Sequence, residues 1–358
     1  MAGHIGEGPD LSTANPWKVA QWNPFQEGSN AEITTVIQLA QSLGMWLVAM
    51  AANNSASYGG GSAGGKSFND TIYQNNLDRM LGIPAFTNNV RCTANPNGFI
   101  LNYMGDEPFL ETTWGNPSTF TIAKFNQAAR HHKDRWPGCL TFGRVNPFRL
   151  RNGGNGWPTG TYSESTWDAL DYGWLQYEAP YYKGYQNQPR MTFLQALAFE
   201  RNYASLVNVG VATSVNFMNV GPKSGTFDGF NSCWHTDNNP SGPTGVVIGP
   251  GGTPNAGLSE GDVVPCASTG TLINSTNILT PPAYLALIAQ RAATDPDIPF
   301  LVYWSEPEGV GEAALLLNGK GGGTEVFWSR SDYDTNRRQA QLNGEARTTF
   351  NGFRTAKP

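Results

Sequence analysis

The sequence predicts an α/β fold, a (β/α)8 barrel of the TIM type with long loops at one rim. Three observations point there. Short apolar runs alternate with stretches of helical period along most of the 358 residues. Such alternation implies a parallel sheet, because parallel neighbours need a crossover between them. About seven strand–helix units can be counted, close to the eight of a closed barrel. Polar and aromatic residues also follow nearly every apolar run, and in a barrel those strand ends share one rim and build one site. An open doubly wound sheet is the competing arrangement. No internal repeat or flexible linker is visible, so 1–358 reads as a single domain.

Taken in order, residues 32–43 form an amphipathic helix with Ile33, Val36, Ile37, Ala40 and Leu43 on one face, stopped by Gly44. Trp46 to Met50 reads as a buried strand, and 54–67 as a Ser/Gly-rich loop. Asn69 or Asp70 caps a helix running to Leu81, again followed by glycine. Phe99 to Met104 is the next strand. Residues 119–135 read as helix, 140–146 as strand, and 165–172 as a short helix before a strand from Leu175 to Tyr177. The clearest helix covers 191–208, with a strand from Val215 to Met218 after it. Residues 222–275 read as one long loop, 281–293 as helix and Phe300 to Trp304 as strand. Residues 309–358 supply strands that complete or decorate the barrel, at Ala313–Leu317 and Thr324–Trp328.

Charged residues are 14% of the chain, well below the usual quarter, while aromatics are 12% with 11 Trp. The surface is therefore polar without being charged, which suits a partner made of hydroxyls and flat apolar sugar faces. The net charge is −5. No basic stripe with interleaved aromatics appears, which excludes nucleic acid. No apolar run reaches 18 residues, so no membrane helix is expected. No basic patch and apolar stretch opens the chain, so no signal peptide is read. Cys92, Cys139, Cys233 and Cys266 form no CxxC. Their even count and wide spacing permit two disulfides, Cys233 with Cys266 and Cys92 with Cys139, in a secreted protein. Asn53, Asn69 and Asn274 head N-x-[ST] triplets, a pattern frequent by chance.

The sharpest motif is Tyr103-Met104-Gly105-Asp106-Glu107-Pro108, an apolar strand ending in two acids and a proline. Here the chain resembles the (β/α)8 glycoside hydrolases, in which a strand-end Glu followed by Pro often serves as acid/base. The form in their best-known clan is Asn-Glu-Pro, and this chain has Asp-Glu-Pro. The resemblance spans roughly residues 1–308 through short strand-end motifs. It implies a glycosidase with Glu107 as acid/base and a second carboxylate on a later strand. Glycoside cleavage needs one carboxyl group to protonate the leaving oxygen and another opposite it. Asp106 is the like charge that would raise the pKa of Glu107. Glu178, in Tyr177-Glu178-Ala179-Pro180-Tyr181-Tyr182, and Glu306, in Tyr303-Trp304-Ser305-Glu306-Pro307, are the two candidates for partner. Glu178 stands directly at its strand's end, and Glu306 matches the late-strand position by resemblance. Arg144, Asn146, Asn216 and Asn219 are candidate binding groups, and Trp174, Tyr177, Tyr181 and Trp304 candidate sugar platforms. His4 and Glu7 fall near the end of the first strand.

Two patterns are set aside. Gly60 to Ser67 matches GxxxxGK[ST] literally, but residues 54–59 separate it from the strand, whereas a P-loop leaves its strand at once. Asp332-Tyr333-Asp334-Thr335-Asn336 opens like a calcium loop, but Arg337 stands where glycine is required and Asn343 where glutamate is. No His/Cys cluster has zinc spacing, and no cofactor is expected. The expected partner is a carbohydrate and the expected state a monomer. A non-catalytic sugar-binding barrel is the alternative.

Overall fold

The structure is a computed structural model. It describes residues 2–5, 19–22, 29–42, 46–51, 58–59, 67–89, 100–102, 120–152, 167–177, 193–215, 232–235, 247–248, 254–255, 263–265, 278–279, 281–299, 301–304 and 354–357. The chain divides into two compact units, one of residues 3–176, 200–213 and 351–358, the other of 1–2, 177–199 and 214–350.

The first unit is built on a parallel sheet. Strands β1 (Ala2–Ile5), β2 (Val19–Trp22) and β3 (Trp46–Met50) pair in parallel, with Gly3 opposite Val19 and Val19 opposite Trp46. Leu47, Val48, Ala49 and Met50 are all buried, as expected of a parallel strand covered on both faces. A short antiparallel pair follows, β4 (Tyr58–Gly59) with β5 (Ser67–Phe68). The parallel order then continues through β6 (Ile100–Asn102), β7 (Thr141–Gly143), β8 (Tyr172–Tyr177) and β9 (Gly210–Val215). The registers place Val48 opposite Ile100, Leu101 opposite Thr141 and Phe142 opposite Tyr172.

The crossovers carry helices with local reasons to start where they do. Helix α1 (Asn30–Ser42) opens on a capping box: Glu32 N donates to Ser29 Oγ at 3.2 Å, and Ser29 N to Glu32 Oε2 at 2.7 Å. It buries Ile33, Ile37 and Ala40, one per turn. Helix α2 (Asp70–Leu81) is capped by Asn69, whose side chain accepts from Ile72 N at 3.1 Å. After the short α3 (Pro84–Asn89), α4 (Ile122–Arg135) is capped by Thr121. Helices α2 and α4 pack together. Trp136 Nε1 donates to Leu77 O at 3.0 Å, and Arg135 reaches Asp78 at 2.9 Å and Gln74 at 2.6 Å. Helix α5 (Pro147–Asn152) follows β7, and α6 (Phe193–Leu206) precedes β9.

At the amino ends of β7 and β8 lies a buried ionic network. Lys133 Nζ meets Asp171 Oδ2 at 2.7 Å and the Cys139 carbonyl at 2.9 Å. Thr141 N donates to the same carboxylate oxygen at 2.7 Å, and Lys357 N to its other oxygen at 2.8 Å. Lys357 Nζ also reaches the carbonyls of Trp167 and Asn208, and Arg354 N donates to the Tyr172 hydroxyl. The C-terminal segment is thus tied to the edge of the sheet opposite the strand exits.

In the second unit, β10 (Ser232–His235) pairs antiparallel with β13 (Val263–Pro265) and with β14 (Ile278–Leu279), and β11 (Val247–Ile248) pairs with β12 (Pro254–Asn255). Helix α7 (Pro281–Thr294) packs beside β10 and β14, and β15 is Leu301–Trp304. Three expectations change. The 222–275 stretch holds strands, because its scattered Cys-Trp and Val-Val pairs find partners far along the chain. The short helix expected at 165–172 is a turn over 168–169, and β8 begins at Tyr172. The strand expected at 215–218 is β9, ending at Val215. The strands expected in 313–328 lie outside the described residues.

Candidate active site

The rim expected to carry chemistry is the edge where β6, β7 and β8 exit. Residue alternation sorts the two faces of the sheet. A Cβ on Gly143 would stand 3.0 Å from the Phe125 ring of α4, and one on Gly173 would stand 2.9 Å from Pro147 Cγ of α5. Gly143 and Gly173 therefore face the helices. Phe142 and Tyr172 face the other way and stack at 4.7 Å with an interplanar angle of 2°. Two residues further on, Arg144 and Trp174 belong to that same inner face. Both are buried, at 6% and 1% exposure. Trp174 N donates to Val145 O at 3.0 Å, so the pairing of β7 with β8 runs on into the rim.

Asn146 opens α5, its carbonyl accepting from Arg149 N at 2.8 Å and Leu150 N at 3.1 Å. Pro147 follows at the first helical position, where a missing N–H costs nothing. The next amide, Phe148 N, donates to Glu200 Oε2 at 2.8 Å. Glu200 comes from α6 and is fully buried, and sequence reasoning missed it. The signal was present: Ala196, Leu197, Tyr203 and Ala204 stand at helical spacing around it, so position 200 faces the interior.

Of the expected site residues, Arg144 and Asn146 follow β7, and Trp174, within β8, is joined to the Val145 carbonyl between them. Tyr177 ends β8 fully buried, its ring edge-on to Phe193 at 5.5 Å and 82°. Trp304 ends β15, and its side chain is outside the described residues. Asp106, Glu107, Glu178, Glu306, Tyr181, Asn216 and Asn219 also lie outside them, as do Glu7 and the 332–343 segment. His4 lies within β1. The Gly60–Ser67 pattern ends in a strand, with Ser67 paired to Gly59, whereas a phosphate loop opens directly into a helix. Among the described residues no group of three His, Cys, Asp or Glu could hold a metal, and no helix is long and apolar enough to cross a membrane.

No family model and no curated protein matches the chain. Among solved structures it is similar to a GH18 chitinase from Pseudoalteromonas aurantia, at 14% identity over 63% of this chain and 84% of that one, with a TM-score of 0.35. It is also similar to a GH5-4 broad specificity endoglucanase from an uncultured bovine rumen ciliate, at 10% identity over 94% of this chain and 86% of that one, with a TM-score of 0.39. At TM-scores this low, the reading of the site rests on the chain's own residues and strand order.

Proposed function

We propose that the chain is a glycoside hydrolase that cleaves O-glycosidic bonds of a polysaccharide or oligosaccharide with two carboxylates. Glu107 is the general acid in this reading, with Asp106 beside it and Glu178 or Glu306 opposite. The observation that carries it is the parallel order β6–β7–β8, which sends three neighbouring strands out at one edge. Asp106 and Glu107 follow β6, Arg144 and Asn146 follow β7, and Glu178 follows Tyr177 directly. Glycoside cleavage needs one carboxyl group to protonate the leaving oxygen and another across the bond, and these strand-following acids are residues of that type. Arg144, Asn146, Trp174, Tyr181, Asn219 and Trp304 are the proposed sugar-binding residues; Tyr177, expected among them, shares the helix-facing side of β8 with Gly173 and is buried against Phe193.

The same proposal makes the chain one barrel domain and a monomer. Its support is the sequential run of seven strands, β1, β2, β3 and β6 to β9. Secretion is proposed from the composition alone, rich in Asn, Ser, Thr and Gly and poor in charge.

Glu107→Gln tests the chemistry, since it keeps shape and removes the transferable proton. General acid catalysis contributes about 10²–10⁴-fold, and the rate on a natural polysaccharide is expected to fall by that factor. A nitrophenyl glycoside, whose leaving group needs little protonation, is expected to lose far less. A variant within a few-fold of the parent on both substrates would remove Glu107 from the role.

A further inference from the structure

We infer that Glu200 is a positioning residue for the rim segment that carries Arg144 and Asn146. It is fully buried on α6 and accepts from Phe148 N at 2.8 Å. That amide is the second of α5, one of the donors a helix start leaves without an intrahelical partner. A carboxylate there satisfies the donor and meets the positive end of the helix. The segment Arg144–Pro147 is then fixed at three points. Trp174 N holds the Val145 carbonyl at 3.0 Å. Pro147 lies against Gly173, where even one added carbon would approach to 2.9 Å. Glu200 holds the first turn of α5 through the Phe148 amide. Asn146 stands between these anchors and Arg144 directly before the first of them, so a shift of the Glu200 bond moves both residues proposed to meet the sugar. Phe148 also meets Tyr203 edge-on at 4.8 Å, which seats α5 on α6 beside the carboxylate.

The role of Glu200 in binding rests on the glycosidase reading, whereas its grip on α5 does not. The experiment therefore has two arms, run on the parent, Glu200→Gln, Glu200→Asp and Glu200→Met. The first is hydrogen exchange of the 144–152 segment against 122–135 as an internal reference. A hydrogen bond to a charged group protects by about ten- to a hundredfold. Glu200→Met is expected to speed exchange in 144–152 by that factor with 122–135 unchanged, and Glu200→Gln, which keeps an acceptor oxygen, to restore most of the protection. The second arm measures KM and kcat on whichever of soluble cello-, xylo- and chito-oligosaccharides the parent cleaves. KM is expected to rise about tenfold in Glu200→Met with kcat changed less, and Gln to recover it. Unchanged protection of 144–152 overturns the inference, as does a loosened segment with an unchanged KM. If Glu200→Met does not fold, Glu200→Asp, which draws the carboxylate back by one methylene, carries the same comparison. A parent inert on every sugar sinks the glycosidase reading, and the exchange arm then decides the anchoring by itself.

Discussion

Lys133 and Asp171 illustrate how much rests on single side chains here. Their charges meet at 2.7 Å, with side-chain exposures of 4% and 0%. Burial lowers the Lys133 pKa from its usual value, while the charge and hydrogen bond of Asp171 oppose that. The carboxylate also collects the amides of Thr141 and Lys357, so it cannot simply turn away when its cation is lost. Lys133→Met leaves the buried carboxylate hydrogen-bonded by neutral donors, with the Lys357 charge nearby but not on it. Removing one partner of a buried pair costs about 3–5 kcal/mol, and the urea midpoint is expected to fall accordingly. Adding Asp171→Asn should recover part of that loss. A cost below 1 kcal/mol for Lys133→Met, on the order of an exposed pair, would show that the backbone amides alone hold the carboxylate.

At the scale of elements, strand meets helix closely at Gly173. A side chain there would meet Pro147 Cγ at 2.9 Å and Leu150 Cδ1 at 3.2 Å, and a proline ring can give way only by a change of pucker. Gly173→Ala is expected to destabilise by about 1–3 kcal/mol, the usual result of overpacking. Because the strain falls on α5, it should also weaken sugar binding more than it slows turnover. A neutral effect in thermal unfolding would mean that α5 shifts freely. The elements legible in the sequence are those set by local chemistry. Asn69 before Asp70 and Gly82 after Leu81 mark both ends of α2 because caps act within one turn. Trp46–Met50 is legible because a strand buried on both faces is apolar throughout. The turn at 168–169 was misread as helix, since its Trp, Leu and Tyr neighbours satisfy a helical period by chance while β8 draws Tyr172 to Phe142. The sheet of β10, β13 and β14 depends on pairing across some thirty residues on one side and over forty on the other, as Ser232 with Pro265 and Trp234 with Leu279 show, which no local pattern encodes. At the site, Arg144 and Asn146 were read from their place after an apolar run and Trp174 from its ring, and their part in binding is proposed. The inward facing of Glu200 follows from helical spacing, but its hold on α5 does not, because that depends on an amide 52 residues away.

For the molecule as a whole, the buried bases and phenol fix how stability follows pH. Burial pushes the pKa of His132 well below its usual value, and the charge of Lys133 pushes it further. Its ring is fully buried and edge-on to Trp136 at 5.4 Å. Below about pH 6.5 the unfolded chain takes a proton on this imidazole that the folded chain refuses. Stability from this group therefore rises with pH up to about 6.5 and is level above it. Lys357 is lowered to about 8 by burial first, then by Arg354. Between that value and the usual lysine pKa of about 10.4 the unfolded chain again holds the extra proton, so stability climbs a second time. Tyr73 acts in the opposite sense. Burial and then Asp70 raise its pKa well above the ordinary value, with Arg135 opposing. Above about pH 10 the unfolded phenol ionises while the folded one does not, and stability falls. The acid limb is the part that a single variant isolates. In urea titrations from pH 4 to 8, the parent should lose stability relative to His132→Leu as pH drops below 6.5, by at most about 1.4 kcal/mol per pH unit. Above pH 7 the difference between the two should be constant. Parallel curves across the whole range would mean that His132 takes up its proton in the fold as readily as in the unfolded chain.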